Sequence, residues 1–172
     1  MVKLEKILSE TDIISRVKEI AKKISLDYND KQLILIGILK GSFIFLADLI
    51  RNITIPVKID FIGISSYESG TTSTGKIKIT KELGIDIKDQ DILIVEDIID
   101  TGLTLNFLIN YLKTFQPASI KICTHIDKCE RREADVPIDY TCHSINKGFL
   151  VGYGLDYCEN FRHLPDIYHL KS

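Results

Sequence analysis

Long apolar runs are missing from this chain. The longest, Leu33 to Leu39, is far too short to cross a bilayer. The N-terminal Met-Val-Lys-Leu-Glu-Lys-Ile-Leu carries charge in every turn and lacks the apolar centre of a signal peptide. No membrane partner is expected. An excess of one charge is also missing: Lys and Arg total 22 against 24 for Asp and Glu, a net charge of -2, so no nucleic-acid partner is expected either. Cys123, Cys129, Cys142 and Cys158 form no CxxC pair and show no zinc-ligand spacing. They read as reduced thiols, and the expected location is cytoplasmic. Repeats and linkers are absent as well, so 172 residues suggest one domain with a substantial core.

What is present alternates between strand and helix signals. Ser9-Glu10-Thr11-Asp12 has the form of a helix cap, and Ile13, Ile14, Val17, Ile20, Ala21 and Ile24 follow at helical spacing. Leu33 to Leu39 predicts a strand buried on both faces, Phe43 to Ile50 a helix, and Val57 to Ser65 a strand. Ser65 to Gly75 is almost wholly Ser, Thr and Gly and reads as a mobile surface loop, with a short strand at Lys76 to Lys81 beyond it. Asp91 to Val95 predicts a strand, Leu105 to Phe115 a helix stopped by Pro117, and Ser119 to His125, Ile138 to Ile145 and Phe149 to Val151 further strands. The implied class is α/β: a central, mostly parallel twisted sheet flanked by helices. Ligands of such sheets bind at the carboxyl ends of the strands. Lys40, Glu96, Asp97, Asp100 and Lys128 all fall just past predicted strand ends.

The stretch Ile92-Leu-Ile-Val-Glu-Asp-Ile-Ile-Asp-Thr-Gly-Leu-Thr-Leu105 is the most informative. Asp100 to Thr104 leads into a helix, whose first turn offers unpaired N–H groups and partial positive charge. Gly102 would let a ligand come close to the backbone, and Thr101 and Thr104 add hydroxyls. This suits a phosphate monoester. Neither the GxxxxGK[ST] loop nor GxGxxG is present, which argues against a nucleoside triphosphate or a nicotinamide dinucleotide. Glu96 and Asp97 beside a phosphate could accept hydrogen bonds from vicinal hydroxyls, which together describe a ribose 5-phosphate. Taken alone, an acidic pair after a strand also fits a solvated loop or a receiver domain, but a receiver carries that pair on its first strand, and too little chain follows Asp97 here.

The same stretch, Val95-Glu-Asp-Ile-Ile-Asp-Thr-Gly102, resembles the phosphoribosyl-pyrophosphate signature of the type I phosphoribosyltransferase family, in the version carried by its hypoxanthine-guanine members. Leu39-Lys-Gly-Ser-Phe-Ile-Phe45, Ser65 to Gly75, Asp127-Lys128, Val151 to Tyr157 and Phe161-Arg-His-Leu-Pro165 agree in order and spacing. The resemblance implies transfer of a phosphoribosyl group from phosphoribosyl pyrophosphate to a 6-oxopurine, with Mg²⁺ as cofactor and a homodimer or homotetramer as the assembly.

By the same resemblance, Glu96, Asp97, Ile98, Ile99, Asp100, Thr101, Gly102, Leu103 and Thr104 form the ribose-5-phosphate site, and Asp100 is the catalytic proton acceptor. Lys40, Gly41 and Arg162 bind pyrophosphate, and the peptide bond before Gly41 is expected to be cis. Ser66 and Tyr67 belong to a lid at about 65–76. Lys128, Phe149, Leu150 and Asp156 read the purine, and Glu96, Asp97 and Asp156 serve the metal. A small hood is expected from the N-terminal segment and about 145–172. The main alternative is a regulator that keeps the sugar-phosphate site and binds nucleic acid, for which the chain has neither the basic surface nor the spare length.

Overall fold

The computed structural model describes residues 3–67 and 76–171, with only the backbone at Ser66, Tyr67 and Lys76. The elements run β1 (Lys3–Leu8), α1 (Glu10–Asp27), β2 (Leu33–Leu39), α2 (Phe43–Asn52), β3 (Val57–Tyr67), β4 (Lys76–Lys81), β5 (Asp91–Ile99), α3 (Leu103–Lys113), β6 (Ser119–Asp127), β7 (Tyr140–Ser144), β8 (Leu150–Val151) and β9 (Ile167–Lys171). Six strands form the main sheet in the order β4-β3-β2-β5-β6-β7. All its pairings are parallel except that of β4 with β3. A second, antiparallel sheet orders β1-β9-β8 and joins the two ends of the chain. The sequence pattern does not reveal β1 or β9. Their stretches are short and rich in charge, and they become strands only by finding each other across the length of the chain.

Alternation along the central strands divides the core in two. Leu33, Leu35, Leu93 and Val95 pack with α1 and α2 on one face; Ile34, Ile36, Ile92 and Ile94 pack with α3 on the other. Because both faces are covered, β2 is apolar at every position, which is why it reads as a continuous run. The capping box on α1 is formed: the Asp12 N–H donates to Ser9 Oγ at 3.2 Å, and the Asp12 carboxylate answers the Ser9 backbone. Replacing such a cap costs about 1 kcal/mol. Ile13, Val17, Ala21 and Ile24 of that helix are fully buried, and each is worth roughly 1.5–3 kcal/mol relative to exposure, somewhat less for the alanine.

The strand order reverses between β2 and β5, since β3 and β4 lie to one side of that boundary and β6 and β7 to the other. The β2–β5 pairing ends at Gly37 opposite Val95, while β2 stays with β3 to Leu39 and β5 stays with β6 to Ile99. The two strands therefore part at their carboxyl ends and leave an opening, the usual ligand position in such sheets.

On β6 His125 is buried, with its ring 5.3 Å from Phe45, 4.8 Å from Tyr153 and 5.3 Å from His143. Its Nε2 has no partner. Burial, aided by His143, pushes its pKa down from 6.5 to about 3. Between those values the unfolded chain binds a proton that the native state refuses, so stability falls as pH drops through this window. The slope from this residue is about 1.4 kcal/mol per pH unit. Urea unfolding at pH 7.5 and pH 5.0 should show a smaller pH-dependent loss for His125→Phe than for the wild type; equal losses would refute the assignment.

Candidate active site

Glu96 and Asp97 do not follow a strand end, as the sequence pattern suggested. They lie within β5, which continues for four residues past Val95 because β6 still pairs with it. Beyond Val95 the alternation inverts: Ile98 packs on the first core cluster and Ile99 belongs to the second. The two carboxylates sit at this inversion, half-buried, where β2 no longer pairs with β5. Burial and the adjacent Asp97 drive the Glu96 pKa well up, and burial raises Asp97 too. The main chain offers some relief: the Ile98 N–H donates to Asp97 Oδ1 at 2.8 Å and the Asp97 N–H to Glu96 Oε1 at 3.1 Å. A half-buried carboxyl pair kept from full ionisation by burial is poised to accept hydroxyl donors and cations, which favour its charged form.

A cavity of about 220 Å³ is lined by Glu96 to Gly102, Thr104 and Leu105. It therefore unites the acidic pair with the mouth of α3. The helix's own bonding starts with the Asn106 N–H donating to Gly102 O at 2.9 Å, which leaves the three preceding amides outside the ladder. The Leu103 amide is taken by Thr101 Oγ1 at 3.3 Å. The Leu103 side chain is exposed and does not line the cavity, so a contribution from this position would come from its backbone. Gly102 is also required by the fold itself. Its φ is +81°, and a Cβ there would stand 2.6 Å from the Ala134 carbonyl oxygen.

Asp100 is held by cations. Arg131 Nε donates to Asp100 Oδ2 at 3.1 Å, and the buried Lys128 Nζ lies 3.6 Å from the same oxygen. Burial pulls the Asp100 pKa upward, but the Arg131 hydrogen bond and the Lys128 charge outweigh it and leave it below the usual carboxylate value. The other oxygen, Oδ1, is buried and unpartnered. Arg132 braces the same corner. Its guanidinium donates to the carbonyls of Asp100 at 3.0 Å, Ile99 at 3.3 Å and Lys128 at 3.4 Å, and pairs with Asp127. The Lys128 N–H extends this junction by donating to Ile99 O at 2.9 Å. Sequence reasoning missed Arg131 and Arg132; the only available signal was their place in the charge run directly after Lys128.

Across the opening stand Lys40 and Gly41. A Cβ on Gly41 would fall 1.6 Å from Asp97 Oδ2, so this backbone can meet the acidic pair only as glycine. The cis peptide bond lies between Leu39 and Lys40, one residue before the expected position. Lys40 and Arg162 line one cavity of about 440 Å³. Arg162 donates to the Gly154 carbonyl at 2.7 Å and pairs with Asp156 at 2.8 Å, and its Nε is buried without a partner.

At the edge of the small sheet Phe149 is half exposed, with the ring of Tyr157 edge-on at 5.7 Å, while the Leu150 side chain is buried in β8. Tyr157 was not singled out from the sequence. Ser66 and Tyr67 pair through their backbones with β4, and their side chains, like most of the Ser/Thr/Gly segment at 65–76, lie outside the described residues.

Among the described residues no three His, Cys, Asp or Glu side chains converge as a metal cage. The carboxylates expected to serve a metal come as one adjacent pair, Glu96 and Asp97, and, separately, Asp156. That donor set suits a hard cation that takes one or two carboxylates and completes its shell with water and a bound phosphate.

Comparison with known proteins gives this geometry a family. The model of the phosphoribosyl transferase domain matches residues 3–158. The hypoxanthine-guanine phosphoribosyltransferase of Streptococcus agalactiae is 46% identical over 98% of this chain and 94% of its own. The hypoxanthine phosphoribosyltransferase of Salmonella typhimurium is 44% identical over 94% of this chain and 92% of its own. The crystal structure of a hypoxanthine-guanine phosphoribosyltransferase from Bacillus anthracis, with a HEPES molecule in its active site, superposes with a TM-score of 0.93 at 40% identity and covers all of both chains. With its opening between β2 and β5, the acidic pair in that opening and this end-to-end likeness, the chain belongs to the phosphoribosyltransferase family.

Proposed function

We propose that the protein moves the 5-phosphoribosyl group of phosphoribosyl pyrophosphate onto N9 of hypoxanthine or guanine and releases pyrophosphate, in purine salvage. The observation that carries the reading is the sequence of groups across the β2/β5 opening. The mouth of α3 and the acidic pair share one cavity, Gly41 abuts Asp97, and Lys40 shares a second cavity with Arg162. That order matches a substrate with a 5′-phosphate, two ribose hydroxyls and a diphosphate at C1′. The relatives' activities point the same way.

In this reading the α3 amides, with Thr101 and Thr104, hold the 5′-phosphate. Glu96 and Asp97 accept hydrogen bonds from the ribose hydroxyls, and their negative charge stabilises the electron-poor C1′ as its bond to the diphosphate breaks. Lys40, the Gly41 backbone and Arg162 receive the negative charge that builds on the leaving pyrophosphate. N9 of the base closes on C1′ while Asp100 accepts the proton from N7; its lowered pKa keeps it ionised at neutral pH. Lys128 donates to O6, Phe149 stacks on the purine face, and the backbones of Leu150 and Asp156 read the base edge. Adenine would set an amino donor against the Lys128 ammonium, and a site that loses a built-in hydrogen bond discriminates strongly.

Mg²⁺ is the proposed cofactor, with Glu96 and Asp97 near one ion and Asp156 near another. When bound it would supply positive charge against the phosphate oxygens. The described chain acts as one catalytic domain, with the small sheet as a hood beside the base, and it assembles as a homodimer or homotetramer. No helix among the described residues is long and apolar enough to cross a membrane, and the proposed location is the cytoplasm.

Single-turnover assays with magnesium, phosphoribosyl pyrophosphate and each of hypoxanthine, guanine, xanthine and adenine test the reading directly. Nucleotide should form from the first two and not from adenine; turnover of none would sink it, and salt-dependent binding of nucleic acid without turnover would favour a regulator. Asp100→Asn should lower kcat by at least about 10-fold, near the low side of the general-base range because the base can ionise unaided. Wild-type turnover in that variant would remove Asp100 from the mechanism. Lys128→Gln should cost roughly 10- to 100-fold in kcat/KM for hypoxanthine, the usual worth of a hydrogen bond from a charged donor, and narrow the preference over adenine.

A further inference from the structure

A carboxylate stands where the reading above requires an anion. Glu159 Oε2 accepts from Lys40 Nζ at 3.0 Å, and Glu159 Oε1 lies 3.5 Å from the Arg162 guanidinium. All three side chains line the same cavity. Glu159 therefore joins, with its two oxygens, the two cations assigned to the diphosphate.

Its setting suits a removable group. Glu159 occupies the tip of a tight turn closed by mutual backbone hydrogen bonds between Tyr157 and Asn160 at 3.1 and 3.0 Å. Its own N–H is anchored on Asp156 Oδ2 at 2.8 Å, while its side chain is 65% exposed. Arg162 does not need it for placement, since the Gly154 carbonyl and the Asp156 carboxylate already hold the guanidinium. Lys40, by contrast, has no other side-chain partner among the described residues. The turn can thus keep its shape while the carboxylate swings out. The Lys40 hydrogen bond and charge hold Glu159 below the usual carboxylate pKa, so it is an anion throughout the neutral range.

We propose that Glu159 is a resident stand-in for the diphosphate: it bridges Lys40 and Arg162 in the resting site, is displaced when phosphoribosyl pyrophosphate enters, and returns to help expel pyrophosphate. It is a positioning residue, acting through the two cations rather than on the reacting atoms. The inference rests on the proposed function only in naming the displaced ligand.

Removing the competing charge should strengthen binding, a sign that loss of a merely structural residue would not produce. By calorimetry without base, Glu159→Gln should bind inorganic pyrophosphate about 2- to 5-fold tighter than the wild type, the scale of an exposed ion pair released to a ligand. Its KM for phosphoribosyl pyrophosphate should fall in parallel. Glu159→Asp, too short to span both cations, should lie between. In a Lys40→Gln background the gain should largely vanish. Equal or weaker binding by Glu159→Gln, persistence of the gain without Lys40, or no binding of pyrophosphate to either protein would overturn the proposal. A wild type that binds pyrophosphate yet makes no nucleotide from any base would defeat the functional reading instead, and the calorimetric comparison would still decide the role of Glu159.

Discussion

Everything at this site depends on two adjacent carboxyl groups held half-buried where strands part. Glu96 and Asp97 are set in β5 by its pairing with β6, at the level where β2 has left it. Carboxylates so placed resist ionisation, and the protein surrounds them with compensation of graded strength. Backbone amides approach first, then Arg162 at longer range, while Lys128 and Arg131 neutralise the neighbouring Asp100. What remains is unmet capacity to accept hydroxyl donors and cations. In the proposed reaction, the desolvation that makes the pair costly to keep would also make it effective against a developing positive charge.

The opening is made by topology rather than by any one side chain. The strand order turns around between β2 and β5, so each edge of the gap is held by a different partner, β3 on one side and β6 on the other. Loops leaving those strands bring opposite chemistries to a common place. From β2 comes a glycine backbone pressed against Asp97; from β5 comes the turn into α3. A third contribution arrives from near the C-terminus, where the segment between β8 and β9 delivers Asp156, Glu159 and Arg162. The small sheet that ties β1 to β9 fixes where that segment can lie.

How much of this the sequence discloses follows from the range of the forces involved. Doubly covered β2 announces itself because every position is apolar, and α1 because its cap and its 3.6-residue stripe are local. The acidic pair and the Thr-Gly turn are legible as neighbours because one short stretch carries both, and the fold keeps them on one cavity. The extension of β5 through Glu96 and Asp97 is not legible, since polar residues at a strand end look like a loop and only pairing with β6 keeps them extended. Lys3 to Leu8 mixes charge with apolar residues and gives no period until β9 lies beside it. Arg131 and Arg132 are charged residues in a charged stretch, and Glu159 is a lone charge in a polar turn. Before folding, nothing distinguishes them from solvated side chains; afterwards each has a partner more than thirty or a hundred positions away.

The grip of Arg132 has a mechanical meaning. One planar group holds the carbonyls of Ile99, Asp100 and Lys128 together with the Asp127 carboxylate, and so rivets the tips of β5 and β6 into a single plate. Asp100 at the end of β5 and Lys128 just past β6 therefore cannot drift apart independently. One side of the opening is thereby built as a stiff jaw, its strand tips clamped by a single side chain.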